Sequence, residues 1–343
     1  MAGVMTGTAT IPAAVQSYFD RSLLVRSTPY LCYMKVAQER SLKARSGNTI
    51  VFRRYPSLPL ATTPLTEGHP PAGRQMSKTD ITATIQSYGD YITLTDLAQA
   101  TVDSPLLNEA NKLLSEQAAQ TMDALLRDVA AAGTDVFYGG GSVSARTDLT
   151  TTTEAVDTSI LDRALRSLEV NLAKKFTTMI QGSGKVGTTP IRPAFWAITH
   201  PDVVFTLEHL TGWKSVETYA SQNAVMPMEV GSYKNLRVLS TTNAKVWLGG
   251  GGTASGDVKY TVVSGANKAD IYSILIFGQD AIATVPLEGL SLQNVIKPLG
   301  AGGTADPLNQ ISTSGWKHTG ARVRLNEANM TRIEVTAREL AAV

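Results

Sequence analysis

The feature that most constrains this chain is a pair of alternating segments joined by a long connection rich in Pro, Thr and Gly. Residues 48–55, NTIVFRRY, alternate apolar and polar side chains, and so do residues 80–95, which follow the connection of residues 56–79. Alternation with period two is typical of β-strands, so the pattern predicts a long hairpin with an elaborated tip. A connection of this length is usually functional. A two-stranded ribbon needs a neighbour to be stable, which predicts contact with another molecule.

The same alternation predicts which side chains of the hairpin share a face. In the first strand, one face holds Ile50, Phe52 and Arg54, and the other holds Val51, Arg53 and Tyr55. In the second strand, one face holds Ile81, Ala83, Ile85 and Ser87, and the other holds Thr82, Thr84, Gln86 and Tyr88.

The strongest helical pattern covers residues 104–132. Ser104 suits the N-cap, Pro105 suits the first helical position, and Gly133 suits the end. Between them, apolar residues recur at spacings of three and four. At 1.5 Å per residue this helix is about 40 Å long, enough to cross a whole domain.

Weaker patterns follow along the chain. A second helix is predicted over residues 159–176, with Leu161, Leu165, Leu168 and Leu172 on one face. FWAITHPDVVFTLEHL predicts a buried strand and then a helix opened by Pro201 and Asp202. Short strands are predicted in LRVLST, KVWL, VKYTVV, IYSILIF and AIATVPL, and the chain ends in a predicted strand pair, GARVRL and RIEVTA. The mixture predicts an α+β fold.

Composition and charge argue against several classes of protein. The net charge of +2 gives no strong field for gripping nucleic acid along the whole chain. The single cysteine, Cys32, cannot form an internal disulfide and is expected to be a small buried residue in a chain made in the cytoplasm. No stretch approaches the roughly 18 apolar residues of a membrane span, and the N-terminus lacks a secretory leader.

None of the candidate catalytic motifs has the spacing or structural context that its chemistry requires. QGSGKVGTTP at residues 181–190 lacks the spacing and the helix of a phosphate loop, so we interpret it as a connector. GGGG at residues 249–252 precedes no helix and is interpreted as a hairpin loop. His200 and His209 do not have the spacing of metal ligands on one helix face, and His200 is expected to start a helix. We therefore expect no catalytic residue, metal or cofactor.

The charged residues of the hairpin are better candidates for contacts. Glu67 and Arg74 flank the tip, where they serve either as charge partners of a neighbouring subunit or as solvated residues, and His69 is a contact or solvated residue. Lys78 is the one lysine of the loop. Arg53 and Arg54 are salt-bridge donors or a solvated face, and small basic pairs of this kind could face DNA without sequence preference. Similar basic pairs are Lys174 with Lys175 and Arg322 with Arg324.

Several segments together resemble the major capsid proteins of tailed bacteriophages, in the N-four-like podophage family. The resemblance covers nearly the whole chain and rests on GNTIVFRRY, ATTPLTEGHPP, SYGDYITLTDL, EQAAQTMDALLRD, THPDVV, GSYKNLRVLST and DPLNQISTSGWKHTGARVRL. LTEG followed by YGDYITLTD is the most specific combination. The resemblance implies the Hong Kong ninety-seven fold shared by tailed-phage and herpesvirus capsids.

The resemblance also implies a domain plan. Residues 1–47 would be an N-terminal arm and residues 48–96 an extended loop that lies on a neighbouring subunit. Residues 97–194 would be the peripheral domain with its spine helix, 195–310 the axial domain, and 311–343 strands that return to the peripheral domain.

The function implied is a major capsid protein that self-assembles through hexamers and pentamers around double-stranded DNA, in a shell assembled in the host cytoplasm. Portal, scaffolding or decoration proteins would be further partners. Some shells of this fold carry Lys–Asn crosslinks between subunits, but no partner for Lys78 can be named, so we expect a non-covalent shell. The alternatives are an encapsulin-type compartment holding cargo protein, a nucleotide- or metal-dependent enzyme, and a tail or fibre protein. The long helix and the lack of repeats disfavour the last.

Overall fold

Two large β-sheets and a long helix that packs on both form the centre of the described part of the chain. The computed structural model describes residues 31–65, 67–69, 71–101, 106–141, 143–176, 193–218, 226, 228–301 and 306–339. Its α-helices are α1 (Tyr33–Val36), α2 (Asp96–Thr101), α3 (Leu106–Ala131), α4 (Thr158–Val170) and α5 (Pro201–Glu208). Its strands are β1 (Gln38–Glu39), β2 (Thr49–Arg54), β3 (Thr79–Thr84), β4 (Gln86–Thr95), β5 (Val136–Tyr138), β6 (Phe195–Thr199), β7 (Trp213–Ser215), β8 (Glu229–Tyr233), β9 (Leu236–Ser240), β10 (Val246–Trp247), β11 (Tyr260–Val263), β12 (Ala266–Ala269), β13 (Ile271–Phe277), β14 (Ile282–Pro286), β15 (Leu292–Lys297), β16 (Ile311–Arg324) and β17 (Met330–Thr336).

The larger sheet is mixed and has helices on both faces. Its strand order is β5-β17-β13-β6-β9-β8-β7, with β10 also paired to β13. In β6 the residues Phe195 and Ala197 join the core beneath α4 and α5, whereas Trp196 and Ile198 join the core beneath α1 and α3. All five residues of β6 are therefore buried, which explains why this strand is a continuous apolar run and not an alternating one.

The smaller sheet carries the hairpin. Its strand order is β1-β14-β16-β15, and β4 also pairs with β16. The separate β2–β3 hairpin runs in register from Thr49 opposite Thr84 to Arg54 opposite Thr79. Ile50, Phe52 and Ala83 pack with Val285 and Ala321 of this sheet, so the base of the hairpin is held by an apolar cluster.

The helix α3 connects the two sheets. Leu114 and Ala118, in its first half, pack on Trp316 of β16, whereas Leu126 and Ala130, near its end, join the core beneath the larger sheet. Its 26 residues correspond to a length of about 39 Å. The predicted helix over residues 104–132 is thus confirmed, although its predicted cap at residues 104 and 105 lies outside the described residues.

A buried carboxylate fixes the start of the described chain to this helix. Asp123 of α3 is fully buried and accepts hydrogen bonds from the backbone N–H groups of Tyr33 and Met34, and from the Asn243 side chain at 2.8 Å. Burial raises the pKa of Asp123, and the hydrogen bonds oppose that change. The carboxylate therefore caps α1 from outside that helix and joins three distant segments. Cys32 beside it is buried, as predicted.

Replacing this carboxylate should loosen α1. We expect Asp123→Ala to lower the free energy of unfolding by about 2 kcal/mol, because buried backbone donors lose their acceptor. Hydrogen exchange at the Tyr33 and Met34 amides should accelerate along with this loss. Asp128→Ala, at an exposed acid of the same helix that also pairs with Lys245, should cost less than about 1 kcal/mol. Unchanged exchange at both amides would contradict the capping role.

The glycine run at residues 249–252 allows close packing of the backbone against a neighbouring segment. The prediction that this run forms a hairpin loop is wrong. The run connects β10, which pairs with β13, to β11, which pairs with β12, so the two flanking strands are not partners. A Cβ added to Gly251 would lie 2.5 Å from the Leu149 carbonyl oxygen and 3.0 Å from the Ala269 Cβ. The glycines therefore let this segment lie directly against residues 147–150.

A methyl group at this point should disturb the packing. Gly251→Ala is expected to lower the free energy of unfolding by about 2 kcal/mol because the Leu149 backbone must move. Gly256→Ala is a control for space, since nothing lies within 4 Å of its Cβ position, although its positive φ adds some strain. Denaturant titration of both variants measures the difference, and equal losses would show that close approach at Gly251 is unimportant.

Three further predictions of secondary structure need correction. The second helix ends at Val170 and not at residue 176, because Leu172 adopts a left-handed φ of 56° and the Ala173 N–H bonds back to the Leu168 carbonyl. Leu172, predicted on the apolar face, is 86% exposed.

The strand predicted over residues 80–95 is two strands. The chain leaves the hairpin at Ile85, whose N–H bonds to the Asn48 carbonyl, and continues as β4 beside β16. The alternation restarts there, so Ser87 is exposed and Tyr88 is partly buried, opposite to the prediction. The predicted C-terminal strand pair is also wrong, because β16 lies in the smaller sheet and β17 lies between β5 and β13 in the larger one.

Candidate inter-subunit surface

The connection between β2 and β3 projects from the body of the protein. Every described residue from Tyr55 to Lys78 is exposed. The exposed residues include large apolar side chains: Tyr55, Leu58, Leu60, Leu65 and Met76, of which Leu60 is 84% exposed. A contiguous set of exposed apolar side chains marks an interaction surface in a soluble protein. We call residues 55–78 the arm.

The charged residues predicted for contacts divide into two groups. Arg53 and Lys78 both lie beside Asp80 of β3, at 3.7 and 3.0 Å, and Arg54 donates a hydrogen bond to the Asn326 side chain. These exposed ion pairs contribute at most about 1 kcal/mol each and serve to steady the hairpin.

The tip residues Glu67, His69 and Arg74 are exposed, and the described part of the chain supplies no ion pair to any of them. Their predicted contacts with a neighbouring subunit remain a prediction. Only charged residues were predicted as contacts, whereas the exposed apolar residues of the arm were not. The signal was present, because leucines between prolines in a segment that cannot fold on itself have no intramolecular site to fill.

A second exposed surface lies at the edge of the smaller sheet. Strand β15 pairs with β16 on one side, and on its other side the described residues provide no strand partner. Apolar side chains on β15, in the adjoining loops and at the start of β16 are 40–74% exposed: Leu290, Leu292, Val295, Ile296, Leu299, Leu308 and Ile311. An unpaired edge with apolar side chains is suited to adding a strand from another molecule.

Three charged side chains near the end of α3 form a structural cluster. Glu334 of β17 is fully buried and accepts two hydrogen bonds from Arg146, at 2.6 and 2.7 Å. Arg332 lies 2.7 Å from the same carboxylate and donates to the Ala131 and Gly133 carbonyls at the end of α3. Burial lowers the pKa of Arg332. The hydrogen bond between Arg146 and Glu334 raises the pKa of Arg146.

This cluster connects the end of α3 to strand β17 of the larger sheet. The guanidinium of Arg146 stacks 3.8 Å from the Trp247 ring centroid, and its Nε and Nη2 groups donate hydrogen bonds to Glu334. A cation at the C-terminal end of a helix is also favoured by the helix dipole. The cluster therefore fixes the end of α3 to the larger sheet.

The histidine and cysteine considered as candidate chemical groups, His200 and Cys32, serve the fold instead. His200 caps α5 by accepting a hydrogen bond from the Asp202 N–H, as predicted. Burial raises the pKa of the Cys32 thiol to about 12, so it is protonated at neutral pH. No group of three His, Cys, Asp or Glu residues in the described ranges could hold a metal ion, and no helix there is long and apolar enough to span a membrane. The segment 181–190 lies outside the described residues.

The comparison with protein families decides the family. The phage capsid protein family matches residues 78–315 of this chain, which is more than half of its length. The chain belongs to the phage capsid protein family. A search of curated proteins gave no match to the sequence.

Solved structures show that the capsid protein also has a phage capsid fold. It is similar to the capsid of Ralstonia phage GP4, with a TM-score of 0.64 and 11% identity over 96% of this chain and 97% of that chain. It is also similar to the cyanophage Pam1 capsid, with a TM-score of 0.63 and 12% identity over 98% of this chain and 100% of that chain. For the acidic stable capsid of the Helicobacter pylori bacteriophage KHP30, the TM-score is 0.61 and the identity is 10%, over 97% of this chain and 99% of that chain.

These findings confirm the predicted phage capsid family and the α+β Hong Kong ninety-seven fold. As a capsid protein, the chain is a structural component of the phage shell. The N-four-like subfamily and the linear domain boundaries remain predictions. In the structure, the segment 97–194 contributes β5 to the larger sheet and packs α4 against it, and the segment 195–310 contributes β14 and β15 to the smaller sheet.

Proposed function

We propose that this capsid protein is the major shell-forming subunit of a tailed bacteriophage. Its copies assemble through hexamers and pentamers into a closed icosahedral shell around double-stranded DNA, without catalysis and without a cofactor. The observation that carries the proposal is the arm, a projecting segment whose apolar side chains have no place on their own subunit.

The arm and the sheet edge are complementary in kind. The arm carries exposed apolar side chains, and the β15 edge offers unpaired backbone groups beside exposed leucine, isoleucine and valine side chains. A strand added to such an edge binds through backbone hydrogen bonds and side-chain pockets. Each contact is modest, but closed symmetry repeats it over every copy, so weak contacts together stabilise a shell.

The remaining partners follow from the role as a shell subunit. The portal and, where they exist, scaffolding or decoration proteins would bind the assembled shell in the host cytoplasm and the mature virion. Packaged DNA would be contacted without sequence preference through small basic pairs such as Lys174 and Lys175. The shell is held without covalent crosslinks, and Lys78, the lysine of the arm, lies 3.0 Å from Asp80 in its own hairpin.

Light scattering across a concentration series tests this function. The purified protein is expected to pass from small species to particles of a single large mass as concentration rises. Nuclease treatment and protein gels of the particles then distinguish a DNA-filled capsid from a compartment that holds cargo protein. A monomer of constant mass over a wide range of salt and concentration would contradict the proposal.

A further inference from the structure

A small cavity lies between α3 and the smaller sheet. Its volume is about 190 Å³, and its mouth includes the exposed side chain of Leu292. The cavity is apolar along most of its wall and cationic at one end. Its principal lining residues are Met34, Met122, Leu126 and Leu292 along the wall, with His318 and Arg322 of β16 at the polar end.

Arg322 is a partly buried cation without an acid partner in the described structure. Its guanidinium lies 5.2 Å from the centroid of the Tyr88 ring, and neither an ion pair nor a hydrogen bond connects it to another described residue. Burial lowers the pKa of Arg322. Glu39 lines the same cavity but is exposed and lies outside ion-pair distance of this cation. A guanidinium in this position favours an anion that can accept its N–H groups.

His318 supplies a second, independent sign of a ligand at the same end. Its side chain belongs to a residue that is 6% exposed, and its Nδ1 atom has no hydrogen-bond partner among the described residues. Burial and the Arg322 charge lower the pKa of His318, while a hydrogen bond with the Ser291 backbone opposes this. A carboxylate beside the ring would favour the protonated form and accept a hydrogen bond from Nδ1.

The arm carries a side chain of the matching chemistry. Glu67 lies at the exposed tip, and Leu65, two residues earlier, is 76% exposed. A carboxylate on a two-carbon stem suits a small cavity with apolar walls and a cation at its end. The neighbouring leucine could cover the exposed rim formed by Met34 and Leu292.

We propose that the cavity receives the Glu67 carboxylate from the arm of a second copy of this chain, with Arg322 and His318 as its hydrogen-bond donors. This inference rests on the proposed function, since the two residues meet only when copies assemble. It assigns the arm a specific receiving site, where shape and charge fix how one subunit lies on the next.

Charge exchange between the two sites tests the pairing. Glu67→Gln and Arg322→Gln should each raise the protein concentration needed for assembly about thirtyfold, because each leaves the other charge without its partner. The single reversals Glu67→Arg and Arg322→Glu should block assembly, and the double variant should restore most of it. Circular dichroism confirms the fold of each variant. The exposed tip residue Glu67 can be changed without disturbing the core.

Matched controls separate this pairing from a general effect of charge. Lys214→Gln changes an exposed cation of the larger sheet, far in sequence from the arm, and Lys317→Gln changes an exposed cation on the same strand as Arg322. Both should assemble like the unmodified protein. If the unmodified protein forms no shells, the proposed function itself fails. If it forms shells and the Glu67 and Arg322 variants behave like the controls, the pairing is wrong while the function stands. Normal shells from Arg322→Gln that only lose DNA would also overturn it, in favour of a phosphate ligand.

Discussion

Replacing the arm by a two-residue turn should leave a folded subunit that forms no closed shells. Arg54 and Thr79 face each other at the end of the β2–β3 ladder, so Asn-Gly in place of residues 55–78 can close a tight hairpin. The apolar cluster at the hairpin base, including Phe52 and Ala83, remains intact. Assembly should be lost because the exposed apolar side chains of the arm are gone.

The experiment reads folding and assembly separately. Near-ultraviolet circular dichroism and thermal unfolding report the fold, and light scattering with negative-stain microscopy reports assembly. A matched control keeps the arm at full length and replaces only the small polar residues Ser57, Thr62 and Ser77 by glycine. That control should still assemble. Normal particles from the shortened protein would refute the role of the arm as a contact between subunits.

The second large effect concerns stability. Glu334→Gln should lower the free energy of unfolding by about 4 kcal/mol, because it leaves Arg146 and Arg332 next to a neutral amide in a buried site. The side chain keeps its shape, so the loss comes from charge and hydrogen bonding and not from a cavity. Denaturant titration of the unassembled subunit measures it.

An exposed ion pair is the control for this substitution. Lys234 lies 2.6 Å from Asp162, but both side chains are about half exposed, at 57% and 44%. Lys234→Gln should therefore cost less than about 1 kcal/mol. Equal losses at Glu334 and Lys234 would show that the buried cluster does not join α3 to the larger sheet.

The sequence predicted best the features that depend on local periodicity. Alternation in NTIVFRRY and spacing in the 104–132 segment indicated the hairpin and the long helix, because each pattern reflects one buried face. Pairing partners were harder to predict. The strands β16 and β17 are close in sequence, but they belong to different sheets, and local alternation carries no information about which distant strand lies beside a given one.

The inter-subunit surface was predicted only in part. The arm was recognisable because its composition cannot fold on itself, and the resemblance to capsid proteins explained its use. The cluster around Glu334 and the cap at Asp123 were missed, since an isolated acid in an apolar stretch does not show which backbone groups or arginines it will meet. Leu172 was misplaced because its left-handed conformation follows from the helix end and not from its hydrophobicity.

Electron cryomicroscopy of the purified, concentrated protein would show directly whether the arm joins subunits. We expect closed shells with five-fold and six-fold positions, in which the arm of each subunit lies on the smaller sheet of its neighbour. Shells in which the arm folds back on its own subunit would contradict the assigned contact. Isolated monomers under all conditions would contradict the claim that the chain builds a shell.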